Sequence, residues 1–248
     1  MINPNQLGRS PFPAGASQWM LVGLRGGAVV TPPFDPTSIA GLKPWLKADA
    51  LSLSDGDPVT TWADSSGSGY DVASSGAQRP IYHTGIVNGK PALQFVSVAS
   101  QFMQASTSLG ISQPDTIFIV AKTVGGGSGR LIDVATGARQ LLDVDDPATG
   151  HFRIFAGTLL ADAVNYDGAF HVFAAVFNGA SSFGYVDGTQ TITGNAGSAG
   201  VGNLVIGSDT TAAFMTGYIA EVLIYNSALS GTDRGNVETY LKTKYAIP

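Results

Sequence analysis

The hydrophobic period of the chain changes near its C-terminus, and this change constrains the fold more than any other feature. Residues 218–225 alternate with period two and are mostly β-branched or aromatic, which predicts a strand. One face would carry Tyr218, Ala220, Val222 and Ile224, and the other Ile219, Glu221, Leu223 and Tyr225. After Ser230, a predicted N-cap with Asp233 three positions on, the apolar spacing becomes helical. A strand followed by a short amphipathic helix is therefore expected to close the chain.

Short apolar stretches separated by turn signals fill most of the remaining chain. Asn88-Gly89 predicts a tight hairpin, and 16 of the 18 acidic residues are Asp, which favours turns. Phe170–Phe177 is apolar at nearly every position, which predicts a central strand buried on both faces. Further strands are predicted at Val59–Trp62, Gln101–Gln104, Thr116–Lys122, Arg130–Val134, Arg139–Val144, His151–Phe155, Ala161–Val164, Ser181–Val186, Thr189–Thr191 and Leu204–Ile206. Short strands at this spacing indicate a β-sandwich or jelly roll.

Charge and composition exclude several classes of function. The chain contains no cysteine, so neither a disulfide nor a thiolate metal site is possible. No run of about 18 apolar residues is present, and the N-terminus does not have the pattern of a secretory signal, so we expect synthesis in a cytoplasm and no membrane association. The net charge of −5 divides into +3 over residues 1–47 and −8 over the remainder. An acidic sandwich repels phosphate, so nucleic acid is not an expected partner.

Residues 1–40 have the composition of an extended arm, and residues 41–248 that of the sandwich domain. Proline recurs through the arm, where it favours extended and turn conformations. The arm also carries one cationic and several apolar side chains that need a surface to cover them, namely Phe12, Trp19, Met20, Leu21, Leu24, Arg25 and Phe34. We expect that surface to belong to another chain. The alternative is an N-terminal strand folded onto its own domain.

Two regions of the sequence resemble the concanavalin A-like (LamG-type) β-sandwich family. The first is the closing strand and helix, GYIAEVLIYNSALS followed by YLKTKY. The second lies near the start and includes WLKADA at 45–50, VTTWADSSG at 59–67 and NGKPALQF at 88–95. The resemblance spans roughly Leu42–Tyr245. It implies an all-β, concanavalin A-like jelly-roll β-sandwich with a short C-terminal helix, behind the extended N-terminal arm.

The resemblance does not bring a catalytic site with it. Hydrolases of this family carry an alternating Glu/Asp/Glu series on one strand, since hydrolysis needs two facing carboxyl groups, and this chain has no such series. Glu221 is the only strand glutamate, and we interpret it as a hydrogen-bonded structural residue. The three histidines show no ligand or triad spacing. We therefore expect a protein that is not an enzyme.

No cofactor is expected, although calcium is worth considering because related sandwiches bind it through loop carboxylates. Asp143, Asp145 and Asp146 cluster before a proline, and Asp55 and Asp57 flank a glycine. Neither group follows the EF-hand pattern, and paired Asp residues in turns more often cap backbone N–H groups. Asp64 matches a family motif and is expected to brace its own loop. No metal site is predicted.

Carbohydrate binding requires only an aromatic platform and a few polar groups. The candidate platforms are Trp62, Tyr70, Tyr82 and Tyr166, although core or rim packing is the more common role for such side chains. The family resemblance also implies a functional class other than carbohydrate binding. Chains of this family with a proline-rich arm resemble bacteriophage virion proteins, such as head decoration proteins, head fibres or tail-fibre components.

The leading hypothesis is thus a non-enzymatic structural protein of a virion, made in the host cytoplasm. Its arm would dock on other capsid or tail proteins and its sandwich would be exposed, with a homotrimer as a plausible assembly. The alternative is a lectin-like module that recognises a glycan on the host surface, and a glycosidase ranks third.

Overall fold

The computed structural model describes residues 34–125, 129–135, 138–144 and 149–248. Phe34–Pro248 form one compact unit. Of the seven arm side chains predicted to contact another chain, the six from Phe12 to Arg25 lie outside the described residues. Asp145 and Asp146 lie outside them as well. Among the described residues no helix is long and apolar enough to cross a membrane.

The described residues form sixteen strands and one α-helix. The strands are β1 Leu42–Lys47, β2 Thr61–Trp62, β3 Val72–Ala73, β4 Ile81–Val87, β5 Lys90–Phe95, β6 Met103–Ala105, β7 Asp115–Thr123, β8 Arg130–Val134, β9 Leu141–Val144, β10 His151–Phe155, β11 Leu159–Asn165, β12 His171–Phe177, β13 Ser182–Val186, β14 Thr189–Gly194, β15 Leu204–Ile206 and β16 Gly217–Tyr225. The helix, α1, is Gly231–Tyr245. The all-β class and the closing helix are as predicted.

The strands form two antiparallel sheets of eight strands each. The first has the order β14-β13-β12-β7-β16-β5-β4, with β1 also pairing with β16. The second has the order β11-β10-β9-β8-β15-β6-β3-β2. Non-consecutive neighbours such as β7 and β16 join distant parts of the chain, as in a jelly roll.

Local sequence signals account for several of these elements. In the β4–β5 hairpin Val87 pairs with Lys90, and Asn88 and Gly89 have φ of 46° and 69°, the left-handed values that favour Asn-Gly. Ser230 caps α1, because its Oγ accepts a hydrogen bond from Asp233 N at 3.1 Å. The predicted hairpin and helix cap are therefore confirmed.

Two apolar clusters hold the domain together. The larger lies between the sheets and includes fully buried Trp62, Phe95, Phe152 and Ile219. The smaller lies on the outer face of the first sheet, where Val237, Leu241 and Tyr245 of α1 pack. The strand β12 contributes to both clusters, which confirms the prediction that it is buried on both faces. The outer face of the second sheet is not covered by α1.

The predicted faces of β16 are wrong before Glu221: Tyr218 and Ala220 face the smaller cluster, and Ile219 faces the inter-sheet cluster. The pairing of β16 with β7 shifts between Ile219, opposite Ala121, and Glu221, opposite Val120, so Ala220 is an extra residue in the ladder. This β-bulge interrupts the alternation. Ile219 therefore joins Val222 in the inter-sheet cluster, whereas Glu221 points toward α1.

Phe34 packs on the sandwich, although its place in the sequence predicts that it belongs to the arm. Its half-buried ring lies 6.3 Å from that of Tyr240 on α1 and contacts the smaller cluster. Next to it Pro36 is buried, and its carbonyl accepts a hydrogen bond from Tyr225 Oη at 3.0 Å. Residues 34–38 thus belong structurally to the domain.

Candidate functional site

Three of the four aromatic side chains proposed as sugar platforms are buried. Trp62 is fully buried, and Tyr82 and Tyr166 are 5% and 8% exposed. Burial also raises the pKa of the Tyr166 hydroxyl well above its ordinary value. Tyr70 is half-buried and packs against the inter-sheet cluster. Stacking on a sugar needs an accessible ring face, so Trp62, Tyr82 and Tyr166 do not offer one and instead pack the core.

The turn carboxylates bind backbone groups. Asp55 accepts a hydrogen bond from Thr84 N at 2.9 Å, which with the neighbouring His83 lowers its pKa, and Asp57 accepts one from Ser54 N at 2.8 Å. Asp64 accepts hydrogen bonds from Trp45 N, Ser66 N and Tyr70 N at 2.8, 2.8 and 3.1 Å, so it braces its loop as predicted. Across the described ranges, no three His, Cys, Asp or Glu residues form a group able to hold a metal ion.

Glu221 is a fully buried hydrogen-bond acceptor. Trp45 Nε1 and Tyr240 Oη donate to its Oε1 at 2.5 and 3.1 Å. Lys244 Nζ and Tyr245 Oη donate to its Oε2 at 2.7 and 2.8 Å. Both oxygens are saturated by donors from β1 and α1, which confirms the interpretation of Glu221 as a hydrogen-bonded structural residue.

The outer face of the second sheet, on which α1 does not pack, offers a better candidate site. Along β10, Phe152 and Ile154 face the inter-sheet cluster, so His151, Arg153 and Phe155 point the other way and are half-buried. Phe155 pairs directly with Leu141 on β9 and Leu159 on β11, which places the three side chains in one apolar row. Leu159 is 53% exposed, whereas Leu141 is buried with 6% exposed, so Phe155 and Leu159 form the accessible part of this row.

The next row across the same strands is charged. Arg153 pairs with Asp143 on β9 and with Ala161 on β11, and Arg130 on β8 pairs with Asp143. Arg153 binds Asp143 in a bidentate manner, with Nε–Oδ1 and Nη2–Oδ2 distances of 2.7 Å. Arg130 Nη1 donates to the same Oδ2 at 2.7 Å. We call the surface formed by Leu141, Asp143, Arg153, Phe155 and Leu159 the β9–β11 face.

A second group of ion pairs adjoins the β9–β11 face. Asp133 is fully buried, binds Arg139 through both oxygens and lies 3.3 Å from Arg130 Nε. The hydrogen bond to Asp133 raises the pKa of the Arg139 guanidinium. Arg139 also lies 3.8 Å from Asp209. Burial alone would raise the pKa of Asp209, but N–H donors from Thr211 to Ala213 hold it well below its ordinary value.

This arrangement combines an accessible aromatic edge with polar groups held in fixed positions. Sequence reasoning predicted the strand His151–Phe155 but did not select its residues as a site. The available signal was the alternation in HFRIF, which places His151, Arg153 and Phe155 on one face. Which sheet face α1 leaves open depends on where the helix packs, and local sequence does not show this.

Comparison with known families identifies the fold. The model of the concanavalin A-like lectin/glucanases superfamily matches residues 110–233, half of the chain. The chain belongs to the concanavalin A-like lectin/glucanases superfamily. This matched range includes all of the β9–β11 face. No curated protein sequence matches the chain.

Solved structures show the same sandwich at low sequence identity. Domain 4 of AbnA, a GH43 extracellular arabinanase from Geobacillus stearothermophilus in complex with arabinotriose, matches with a TM-score of 0.56 and 12% identity, covering 78% of this chain and 96% of that one. Trypanosoma rangeli sialidase matches with a TM-score of 0.53 and 15% identity, covering 88% of this chain but only 36% of the sialidase chain. These matches show that this superfamily member shares their fold.

Proposed function

We propose that this member of the concanavalin A-like superfamily is a non-enzymatic carbohydrate-binding domain whose binding surface is the β9–β11 face. The observation that supports this proposal most directly is the position of the half-buried Phe155 ring one row from the Arg153–Asp143 pair, on the sheet face that α1 does not cover. An aromatic edge of this kind can contact the C–H groups of a sugar ring, and the N–H groups of a half-buried guanidinium can donate hydrogen bonds to its hydroxyls.

The ion pairs of the β9–β11 face are suited to binding because they are already ordered. Asp143 is 1% exposed in its side chain and is held between Arg130 and Arg153, whose side chains are 13% and 22% exposed. Binding to polar groups that are already fixed costs less protein side-chain entropy than binding that must first order them. Rigid strands also position such groups better than loops do.

The same ion pairs argue against hydrolysis. A glycosidase needs one carboxyl group free to donate a proton and a second that acts as base or nucleophile. Here Asp143 accepts hydrogen bonds from two arginines through both oxygens, and Asp133 likewise binds Arg139 through both. Carboxylates paired in this way are stabilised as anions, so a protein that binds sugar without cleaving it fits these groups best.

The structural relatives are consistent with this proposal. The AbnA domain is described in complex with arabinotriose, and a further sialidase structure is described with 2,3-difluorosialic acid. At 12–16% identity they support only the fold, so the ligand of this chain has to be found by experiment.

A glycan array probed with the full chain tests the proposal. We expect binding to one class of glycan, and we expect Phe155→Ala to weaken it by at least about fivefold, since contacts with an aromatic ring contribute about 1 kcal/mol or more. Val98→Ala is the matched control, because Val98 is 92% exposed and lies outside the β9–β11 face. Wild-type chain that binds no glycan, or a Phe155→Ala variant that binds as the wild type does, would contradict the proposal. The bound glycan should keep its length after incubation.

A second candidate function is attachment to other virion proteins through the N-terminal segment. It rests on sequence alone. Residues 1–33 carry a net charge of +2 from Arg9 and Arg25 and the apolar side chains Phe12, Trp19, Met20, Leu21 and Leu24, whereas the rest of the chain carries −7. A basic, apolar and proline-rich segment is suited to docking on an acidic partner surface.

Deletion of residues 1–33 separates the two roles. We expect the deleted chain to keep glycan binding and to lose co-purification with assembled particles from cells that produce both, because the predicted docking side chains are gone. The matched control is a full-length variant with Phe12→Ser, Trp19→Ser and Leu24→Ser, which keeps the length of the segment. Particle association that survives both changes would reject the attachment role.

A further inference from the structure

Asp115 and Gln140 form a buried polar pair between the two sheets. Asp115 begins β7 in the first sheet, and Gln140 directly precedes β9 in the second. Both side chains are fully buried, and Gln140 Nε2 donates a hydrogen bond to Asp115 Oδ2 at 2.6 Å. The pair is therefore a direct polar link between the sheets, at the start of the strand that carries Asp143.

One oxygen of Asp115 and the single side-chain oxygen of Gln140 have no hydrogen-bond partner. These atoms, Asp115 Oδ1 and Gln140 Oε1, are both buried. If the carboxyl group were ionised, both atoms would be acceptors and neither could satisfy the other. A proton on Oδ1 turns Asp115 into a donor for the Gln140 carbonyl. One proton thus satisfies both buried atoms, as buried polar groups in folded proteins normally are.

The surroundings of Asp115 favour the neutral acid. Its cross-strand neighbour on β12 is Phe177, and burial raises the pKa of Asp115 to about 8, against the smaller opposing effect of the Gln140 hydrogen bond. The charged groups on the packed elements are held by other partners: Arg139 beside Gln140 binds Asp133, His171 on β12 binds Asp187, and Glu221 on β16 binds Lys244.

We propose that Asp115 is protonated at neutral pH and closes a two-hydrogen-bond acid–amide pair with Gln140, and that loss of this proton in mild alkali opens the pair and shifts the start of β9. The residues that follow Gln140 are Leu141 and Asp143 of the β9–β11 face. Opening the pair therefore disturbs that face. If the face binds glycan as proposed above, alkali weakens the binding.

Thermal unfolding of the full chain between pH 5 and pH 9 tests the protonated state. Folded Asp115 keeps a proton that the unfolded chain releases above about pH 4. The free energy of unfolding therefore falls as the pH rises from about 4 to about 8. Above about pH 8 Asp115 causes no further change, because both states have then lost the proton. Asp115→Asn keeps both hydrogen bonds without a titrating proton. We expect the difference in melting temperature between the variant and the wild type to increase by at least about 4 °C in favour of the variant between pH 5 and pH 8.

Asp71→Asn is the matched control, because Asp71 is exposed and accepts one hydrogen bond, from Asp64 N. Its difference from the wild type should stay constant over the same pH range. A difference for Asp115→Asn that is equally flat would overturn the proposal.

Nuclear magnetic resonance of the wild-type chain gives a second readout that does not depend on a variant folding or on a glycan. The carboxyl carbon of Asp115 should titrate near pH 8, and the Arg153 Nε–H resonance should shift with the same midpoint. A carboxyl group that is already ionised at pH 6 overturns the protonated pair. An Arg153 signal that does not move overturns the coupling to the β9–β11 face. Because no glycan is present in this measurement, either failure is distinct from a failure of the proposed glycan binding.

Discussion

Glu221 shows how a single acid can be buried in an apolar part of the domain. Its two oxygens accept hydrogen bonds from one lysine, two tyrosines and one tryptophan, and it is fully buried. Burial, followed by the charge of Glu221, raises the pKa values of Tyr240 and Tyr245 well above their ordinary range. Both phenols therefore remain donors at any physiological pH. This network joins β1, β16 and α1 through one carboxylate.

We expect Glu221→Gln to lower the free energy of unfolding by about 3 kcal/mol, since the largely buried charge on Lys244 loses its buried partner and keeps only a partly exposed one, Asp49. The side chain of Lys244 is 12% exposed and keeps its ion pair with Asp49, at 3.0 Å, together with its contacts to the rings of Tyr240 and Tyr245. Asp49→Asn is the matched control, because it removes the more exposed ion-pair partner of the same lysine. It should lower the free energy of unfolding by about 0–1 kcal/mol. Urea unfolding of the two variants measures both values. A larger loss for Asp49→Asn than for Glu221→Gln would contradict this account.

At the scale of elements, the sequence predicted what local interactions determine. The β4–β5 hairpin follows from Asn88-Gly89, the start of α1 from Ser230, and the doubly buried β12 from its apolar run. Each of these signals lies within a few residues of the structure that it specifies. The class of fold and the closing strand and helix could therefore be predicted from the sequence.

The errors concern the faces of strands, which depend on pairing with distant residues. The bulge at Ala220 reverses the predicted faces of residues 218–220, and it arises from the register with β7, about a hundred residues earlier in the chain. Trp62 and Phe155 illustrate the same limit for the site. Local sequence marks both as strand aromatics, but only the assembled sandwich buries Trp62 and leaves Phe155 half-buried on the face that α1 does not cover.

At the scale of the whole molecule, the charge of the domain and that of its proposed site differ. Residues 34–248 carry a net charge of −7. The arginines of and beside the β9–β11 face are matched by aspartates, since Arg130 and Arg153 bind Asp143 while Arg139 binds Asp133. An anionic ligand would meet a repulsive field from the domain and few uncompensated cations. Neutral glycan is therefore the class that this surface favours.

This balance makes a prediction about salt. If the β9–β11 face binds a neutral glycan, the dissociation constant should change by less than about twofold between about 50 and about 500 mM NaCl, because the Debye length falls but no net charge is neutralised on binding. Isothermal titration at the two salt concentrations measures this directly, and a sulfated version of the same glycan is the matched control. We expect the sulfated ligand to bind more weakly at low salt, where the negative field of the domain is least screened. Binding that weakens about tenfold with salt would instead indicate recognition of an anion, and would place the ligand-binding arginines outside the ion pairs described for Asp133 and Asp143.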